Sequence, residues 1–152
     1  MAGPELGQAV DADIPRLLEI RHAAFSRHAP SAYSAEEVQT LLADVDELEL
    51  REMISRHQLF VACCAGQVVG LAGWKGQRLR HVYVDPKQAR RGIATKLVGR
   101  AEADFREQTN AGQILAGVAL HAELFYRRIG YDLVGRRRAW DGSEYLEMVK
   151  KL

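Results

Sequence analysis

The chain of 152 residues sets 21 lysines and arginines against 20 aspartates and glutamates, a net charge of +1 with the histidines neutral. That length suits a single domain with a substantial core, and that balance offers no general field to attract a nucleic acid or a membrane surface. No apolar run is long enough to span a bilayer, and Met1 to Gln8 has neither the basic start nor the apolar stretch of a signal peptide, so a cytoplasmic protein is expected.

Residues 7–10 read as a short first strand. Asp11 or Asp13 then suits the cap of a helix with Pro15 in its first turn, and Ile14, Leu17, Leu18, Arg21 and Phe25 continue it in an amphipathic pattern that ends before Pro30. Ser34-Ala35-Glu36-Glu37 has the form of a capping box, with Val38, Leu41 and Leu42 on one face of a second helix. His28 and Tyr33 fall in the loop between the two. Residues 44–56 predict a short helix through Leu48, Leu50, Met53 and Ile54; its acid-then-basic order fits the helix dipole and a solvated face, and carries no functional reading.

Residues 59–64 and 68–74 are apolar runs on either side of Ala65-Gly66-Gln67, a hairpin signal, and Lys75-Gly76-Gln77 turns into a third strand. Cys63 and Cys64 are strand neighbours whose side chains point to opposite faces, which places them poorly for a mutual disulfide. No cysteine spacing suggests a metal site, and no metal is expected.

The third strand runs to Val82, Tyr83 and Val84, β-branched and aromatic residues that suit a pleated surface. Asp85-Pro86 ends it, because proline has no N–H for the ladder. Ile93, Leu97, Val98, Ala101 and Phe105 then recur at helical spacing over residues 92–108. Between strand and helix lies Arg90-Arg91-Gly92-Ile93-Ala94, suited to a phosphate. The first N–H groups of a helix have no internal partner, the dipole is positive there, Gly92 and Ala94 keep side chains out of the way, and two arginines add charge.

Asn110-Ala111-Gly112 stops the helix, and residues 114–120 form a continuous apolar run, the pattern of a strand buried on both faces. Residues 121–129 predict a helix stopped by Gly130, and residues 131–135 and 145–150 predict two strands with a turn at Asp141-Gly142. Arg136-Arg137-Arg138 lacks interleaved aromatics and reads as solvated surface rather than a nucleic-acid contact. Three consecutive antiparallel strands followed by a βαβ crossover exclude an all-parallel doubly wound sheet.

The loop at Gly92 and Ala94 resembles motif A of the GCN5-related N-acetyltransferases, with Ala89 standing where that motif usually has Gln or Arg. Ala122-Glu123-Leu124-Phe125-Tyr126, followed by Gly130-Tyr131, is similar to motif B of the same family, with Ala119 in place of its frequent asparagine. The resemblance covers residues 59–152 well and the first third in helix layout only. It implies a GNAT-type α/β (α+β-like) fold: a mixed, mainly antiparallel twisted sheet of six or seven strands, about four flanking helices, and a parallel, splayed strand pair at the centre, all in one domain over residues 1–152.

The implied activity is transfer of an acetyl group from acetyl-CoA to a primary amine of a small molecule or peptide, by direct attack in a ternary complex. Val82, Tyr83 and Val84 would pair with the pantetheine arm, Ala89, Arg90, Arg91, Gly92, Ile93, Ala94 and Thr95 would hold the pyrophosphate, and Phe125 would also contact the coenzyme. Tyr126 would protonate the departing thiolate. Tyr33 and His28 would lie over the acceptor. No carboxylate stands on the strand from Arg78 to Val84, where many relatives carry one, so His81 is the candidate base. Simple alternation puts His81 on one face with Leu79 and Tyr83, opposite Arg80, Val82 and Val84. Arg80 is a candidate anchor for an acceptor carboxylate. Neither nucleic acid nor membrane is expected as a partner, and a homodimer is left open. Two alternatives stand beside this reading: an acyl-CoA-binding sensor or interaction module without transfer activity, and a nucleotide binder using the helix start at Gly92, which lacks a Walker or dinucleotide fingerprint.

Overall fold

In the computed structural model, which describes residues 3–28, 47–140 and 142–152, seven strands join in one sheet. They are β1 (Glu5–Gln8), β2 (Leu59–Cys64), β3 (Gln67–Lys75), β4 (Arg78–Val84), β5 (Gln113–Val118), β6 (Asp132–Arg138) and β7 (Glu144–Lys151). Their spatial order is β1-β2-β3-β4-β5-β7-β6; β4 and β5 run parallel and the other neighbours run antiparallel. The α-helices among the described residues are α1 (Ile14–His28), α2 (Glu47–Ser55), α3 (Ile93–Thr109) and α4 (Glu123–Arg128). The expected mixed, mainly antiparallel sheet with a central parallel pair is therefore the observed fold. Tyr33 and the helix expected over residues 34–42 lie outside the described residues, as does the side chain of His28.

Local chemistry accounts for the connections. Ala65 and Gly66 both take positive φ, 51° and 78°, the pairing that a two-residue turn needs to match the twist of its strands. Asn110 ends α3 in the left-handed conformation, and its N–H donates to the carbonyl of Arg106. Pro15 sits in the first turn of α1, while Asp13 reaches back to accept the N–H of Val10 at 2.9 Å.

Alternation along the strands divides the core in two. Phe60 and Ala62 of β2 face α3, packing with Leu97, Val98, Ala101 and Phe105. Leu59 and Val61 face the other way, against Leu17 and Ile20 of α1 and Leu50 and Met53 of α2. Cys63 and Cys64 fall against opposite cores, as their adjacency predicts. Each buried side chain of this size stabilises by about 1.5–3 kcal/mol relative to exposure. Two carboxylates on the inner side of α3 are matched by donors. Trp74 Nε1 donates to Asp104 Oδ2 at 2.8 Å, and Glu102 accepts from the Tyr131 hydroxyl at 2.7 Å and from Lys150 Nζ at 3.0 Å.

Some local expectations are corrected. The first strand is Glu5–Gln8, not residues 7–10. Leu48 of α2 points to solvent at 77 % exposure, because the buried stripe runs through Leu50 and Met53 instead. The apolar run at residues 114–120 gives a strand with only one buried face. Ile114, Ala116 and Val118 enter the core, while Gly117 is exposed and faces the ring of Tyr145. The strand ends at Val118 and a 3-10 turn, Leu120–Ala122, leads into α4. β6 extends through Arg138, with Arg136 and Arg138 paired to Glu144 across the hairpin.

Candidate functional site

β4 and β5 pair only at Arg78 with Leu115 and Leu79 with Ala116. Beyond Leu79 the strands part, so the β5-facing edge of Val82, Tyr83 and Val84 has no strand partner among the described residues. A groove of about 980 Å³ opens in that gap. Its walls are β4, the loop from Asp85 to Gly92, the first turn of α3, the end of β5, and Phe125 and Tyr126 of α4. Every candidate residue that the structure describes lines it: Arg80, His81, Val82, Tyr83, Val84, Ala89, Arg90, Arg91, Gly92, Ile93, Ala94, Thr95, Phe125 and Tyr126.

The loop before α3 is shaped by two left-handed residues, Arg90 at φ 66° and Gly92 at φ 72°. Such turns gather successive backbone N–H groups into a concavity that suits an anion, and here the concavity leads directly into the unpaired N–H groups of α3. A methyl group placed on Gly92 would meet nothing within 4 Å. Glycine is therefore needed there for its backbone, not for packing. The loop hangs from Asp85, whose N–H donates to Val69 O at 2.8 Å and whose carboxylate accepts from Arg16 Nη2 at 2.8 Å and from the N–H of Lys87 at 3.0 Å.

The faces of β4 depart from simple alternation. Leu71 of β3 pairs with Tyr83, and Gly73 with Arg80, so Ala72 stands opposite both His81 and Val82. This is a β-bulge, with His81 held at φ 59°. The extra residue resets the alternation. Leu79, Val82 and Val84 belong to the α3 side, while Tyr83 packs on the other core and Arg80 and His81 both reach Glu49 of α2. The expected grouping of His81 with Leu79, opposite Arg80, is thus overturned. The bulge turns His81 to the same side as Arg80 and Tyr83.

Glu49 had no signal in the sequence beyond a place in an acidic stretch assigned to solvent. In the fold its side chain is only 11 % exposed, and Oε1 lies 2.8 Å from Arg80 Nε and 3.1 Å from His81 Nε2. The hydrogen bond from His81 holds its carboxyl below the usual range; burial works against this, and Arg80 assists it. Arg80 is consequently engaged with Glu49, although its side chain is half exposed. Two further arginines, given no site role by the sequence, also line the groove. Arg78 grips Glu147 with two hydrogen bonds of 2.8 and 2.6 Å, and Arg21 of α1 lies over the Tyr83 ring at 5.5 Å.

On the opposite wall, Tyr126 is buried between Phe125 and Tyr131, meeting both rings edge-on at 5.2 and 5.4 Å. Burial, and after it the neighbouring phenol of Tyr83, pushes the Tyr126 hydroxyl well above its ordinary range, so it stays protonated. A second depression, of about 470 Å³, adjoins Gln8, His57, Trp74 and Asp104, but its groups pair with one another, His57 with Gln8 at 3.1 Å and Trp74 with Asp104 at 2.8 Å.

A sheet opened at a parallel pair, with an anion-ready helix start at one end of the gap and a buried phenol on its wall, defines an acetyltransferase fold. The chain belongs to the Acetyltransferase (GNAT) domain family, whose model matches residues 30–152. It is 26 % identical over 139 residues to the uncharacterized N-acetyltransferase YafP of Escherichia coli (strain K12), covering 88 % of each chain. Among solved structures, a GCN5-related N-acetyltransferase from Rhodopseudomonas palustris superposes with a TM-score of 0.88 at 24 % identity, covering 100 % of this chain and 98 % of the other. The PaiA N-acetyltransferase from Thermoplasma acidophilum, in complex with coenzyme A, superposes with a TM-score of 0.77 at 16 % identity, covering 99 % and 100 %.

Proposed function

We propose that this protein is an N-acetyltransferase that moves the acetyl group of acetyl-CoA to a primary amine of a small molecule or peptide by direct attack in a ternary complex. One observation carries the reading. His81 and Tyr126, a basic and an acidic group, stand on the walls of the same gap that leads to the Arg90–Gly92 loop. The coenzyme A bound by the PaiA enzyme supports it from outside the chain.

The residues fit such a donor. The open edge of Val82 to Val84 offers strand-like hydrogen bonds to an extended amide-bearing arm, and the left-handed turns at Arg90 and Gly92 precede a helix start with its N–H groups unpaired. Exposed Arg90 and Arg91 add positive charge to the phosphate end. In the reaction the amine nitrogen bonds to the thioester carbonyl carbon and the carbon–sulfur bond breaks. The proton lost by nitrogen goes to His81, and the proton needed by sulfur comes from Tyr126. Donating to the sulfur as it leaves stabilises charge that exists only late in the reaction, which raises kcat rather than binding.

The test is acetyl transfer across a panel of amines, run beside calorimetry of coenzyme A binding. Transfer to at least one amine is expected. Tight coenzyme binding with no transfer to any amine would make the protein an acyl-CoA-binding module instead, and preference for a nucleotide over coenzyme A would remove both readings.

A further inference from the structure

The transfer reading leaves open which nitrogen of His81 takes the proton and what holds the ring. Glu49 comes from α2, outside the strand that carries the histidine, and its Oε1 is shared by Arg80 Nε and His81 Nε2 at 2.8 and 3.1 Å. Arg80 has only protons to offer, so a carboxylate paired with it is ionised and purely an acceptor. The proton in the Glu49–His81 contact therefore sits on Nε2 of the ring. That leaves Nδ1 with the lone pair, on a side chain that lines the groove.

We propose that Glu49 is a positioning residue that locks His81 in its Nε2-protonated form and so selects Nδ1 as the atom that accepts the proton of the attacking amine. This rests on the transfer reading above. Before the reaction the carboxylate fixes the ring. As the ring gains a proton, the negative charge beside it offsets the new positive charge, a stabilisation absent from the ground state. Among the described residues, the other charged groups around this contact are Arg80 of β4, Lys75 of β3, which acts on Glu49 and pairs with Glu52 of α2, and Arg21 of α1 over Tyr83. Of these and Glu49, the anion in hydrogen-bond contact with the ring is Glu49. The bulge at His81 supports the same assignment. A residue in regular alternation would point to the α3 side, and the positive φ of His81 instead turns it toward α2.

Three proteins test this: Glu49→Gln, His81→Ala and the double variant, each with calorimetry of acetyl-CoA to show that the fold and the donor site persist. Glu49→Gln keeps an oxygen and removes the charge. It is expected to lower kcat by about tenfold to a hundredfold, with acetyl-CoA affinity unchanged. The double variant should be no slower than His81→Ala, since the two act as one unit. Losses that multiply in the double variant, or a Glu49→Gln kcat like the wild type's, would overturn the proposal while leaving the transferase reading intact. No transfer by the wild type to any amine would remove both. A separate measurement needs no variant: nitrogen-15 spectra of the wild-type imidazole should show the Nε2-protonated ring, and an Nδ1-protonated ring would rule out the assignment.

Discussion

Arg16 and Asp85 are 69 positions apart in the chain and form an ion pair at 2.8 Å, with Arg16 Nε also donating to Val68 O at 2.9 Å. The pair ties α1 to the end of β4 at Asp85, where the chain enters the loop that leads to α3. Burial alone would lift the Asp85 carboxyl, but the N–H of Lys87 and the Arg16 guanidinium outweigh it, and the net direction is down. A carboxyl depressed in the fold stabilises the fold above its unfolded value of 3.8 and loses that contribution as pH falls through the lower, folded value. Asp85→Asn is therefore expected to lower Tm by a few degrees at neutral pH, for a charged hydrogen bond worth about 1.5–3 kcal/mol. The difference from wild type should shrink in strong acid. Thermal melts of both proteins between pH 7 and pH 2 check it; a constant difference would show that the pair contributes nothing electrostatic.

Tyr126 lines the groove from a buried position, and burial keeps its hydroxyl protonated. Removing only that oxygen should spare the packing against Phe125 and Tyr131. Tyr126→Phe is expected to reduce kcat by about 10²-fold or more while leaving acetyl-CoA affinity nearly unchanged. Steady-state kinetics with the true acceptor, beside calorimetry, separates the two. An unaltered kcat would remove Tyr126 from the chemistry.

His81 places an imidazole, a side chain able to take up and release a proton, on the groove wall. His81→Ala should lower kcat by about 10²- to 10⁴-fold and abolish the acid limb of the pH–rate profile. The profile is the informative readout, because a structural loss would scale the rate at every pH equally. A profile of unchanged shape would dispose of the base assignment.

Glycine serves opposite needs at two positions. At Gly92 the backbone has φ 72° and the space beside it is open, so Gly92→Ala should cost only about 1–2 kcal/mol of left-handed strain, read mainly as weaker acetyl-CoA binding. At Gly73 a methyl group would stand 2.4 Å from Gln58 O and 2.8 Å from Met53 Cε. Gly73→Ala must shift backbone, and a loss of stability of about 1–3 kcal/mol is expected. Denaturant unfolding of both variants tests the contrast. Calorimetry of acetyl-CoA separates the two, since only Gly92→Ala should weaken binding, and equal affinities would overturn the contrast.

Much of this molecule is local, and what is local was legible in the chain. The β2–β3 hairpin follows from Ala65-Gly66, α3 from the spacing of Ile93, Leu97, Val98 and Ala101, and the antiparallel strands before a crossover follow from turns too short for anything else. The loop through Gly92 and the Phe125-Tyr126 pair were visible for the same reason, since a helix start and a short spacing need no distant partner. Tertiary structure alone decided the rest. The face of His81 depends on a bulge that exists only when β4 pairs with β3, because a period of two says nothing about an extra residue in one strand. The inward turn of Glu49 is stable only because α2 docks beside Arg80 and His81, whose donors offset the cost of burying a carboxylate. An acidic residue on a helix is read as solvated until its partners, brought in from a strand some 30 residues away, make burial favourable.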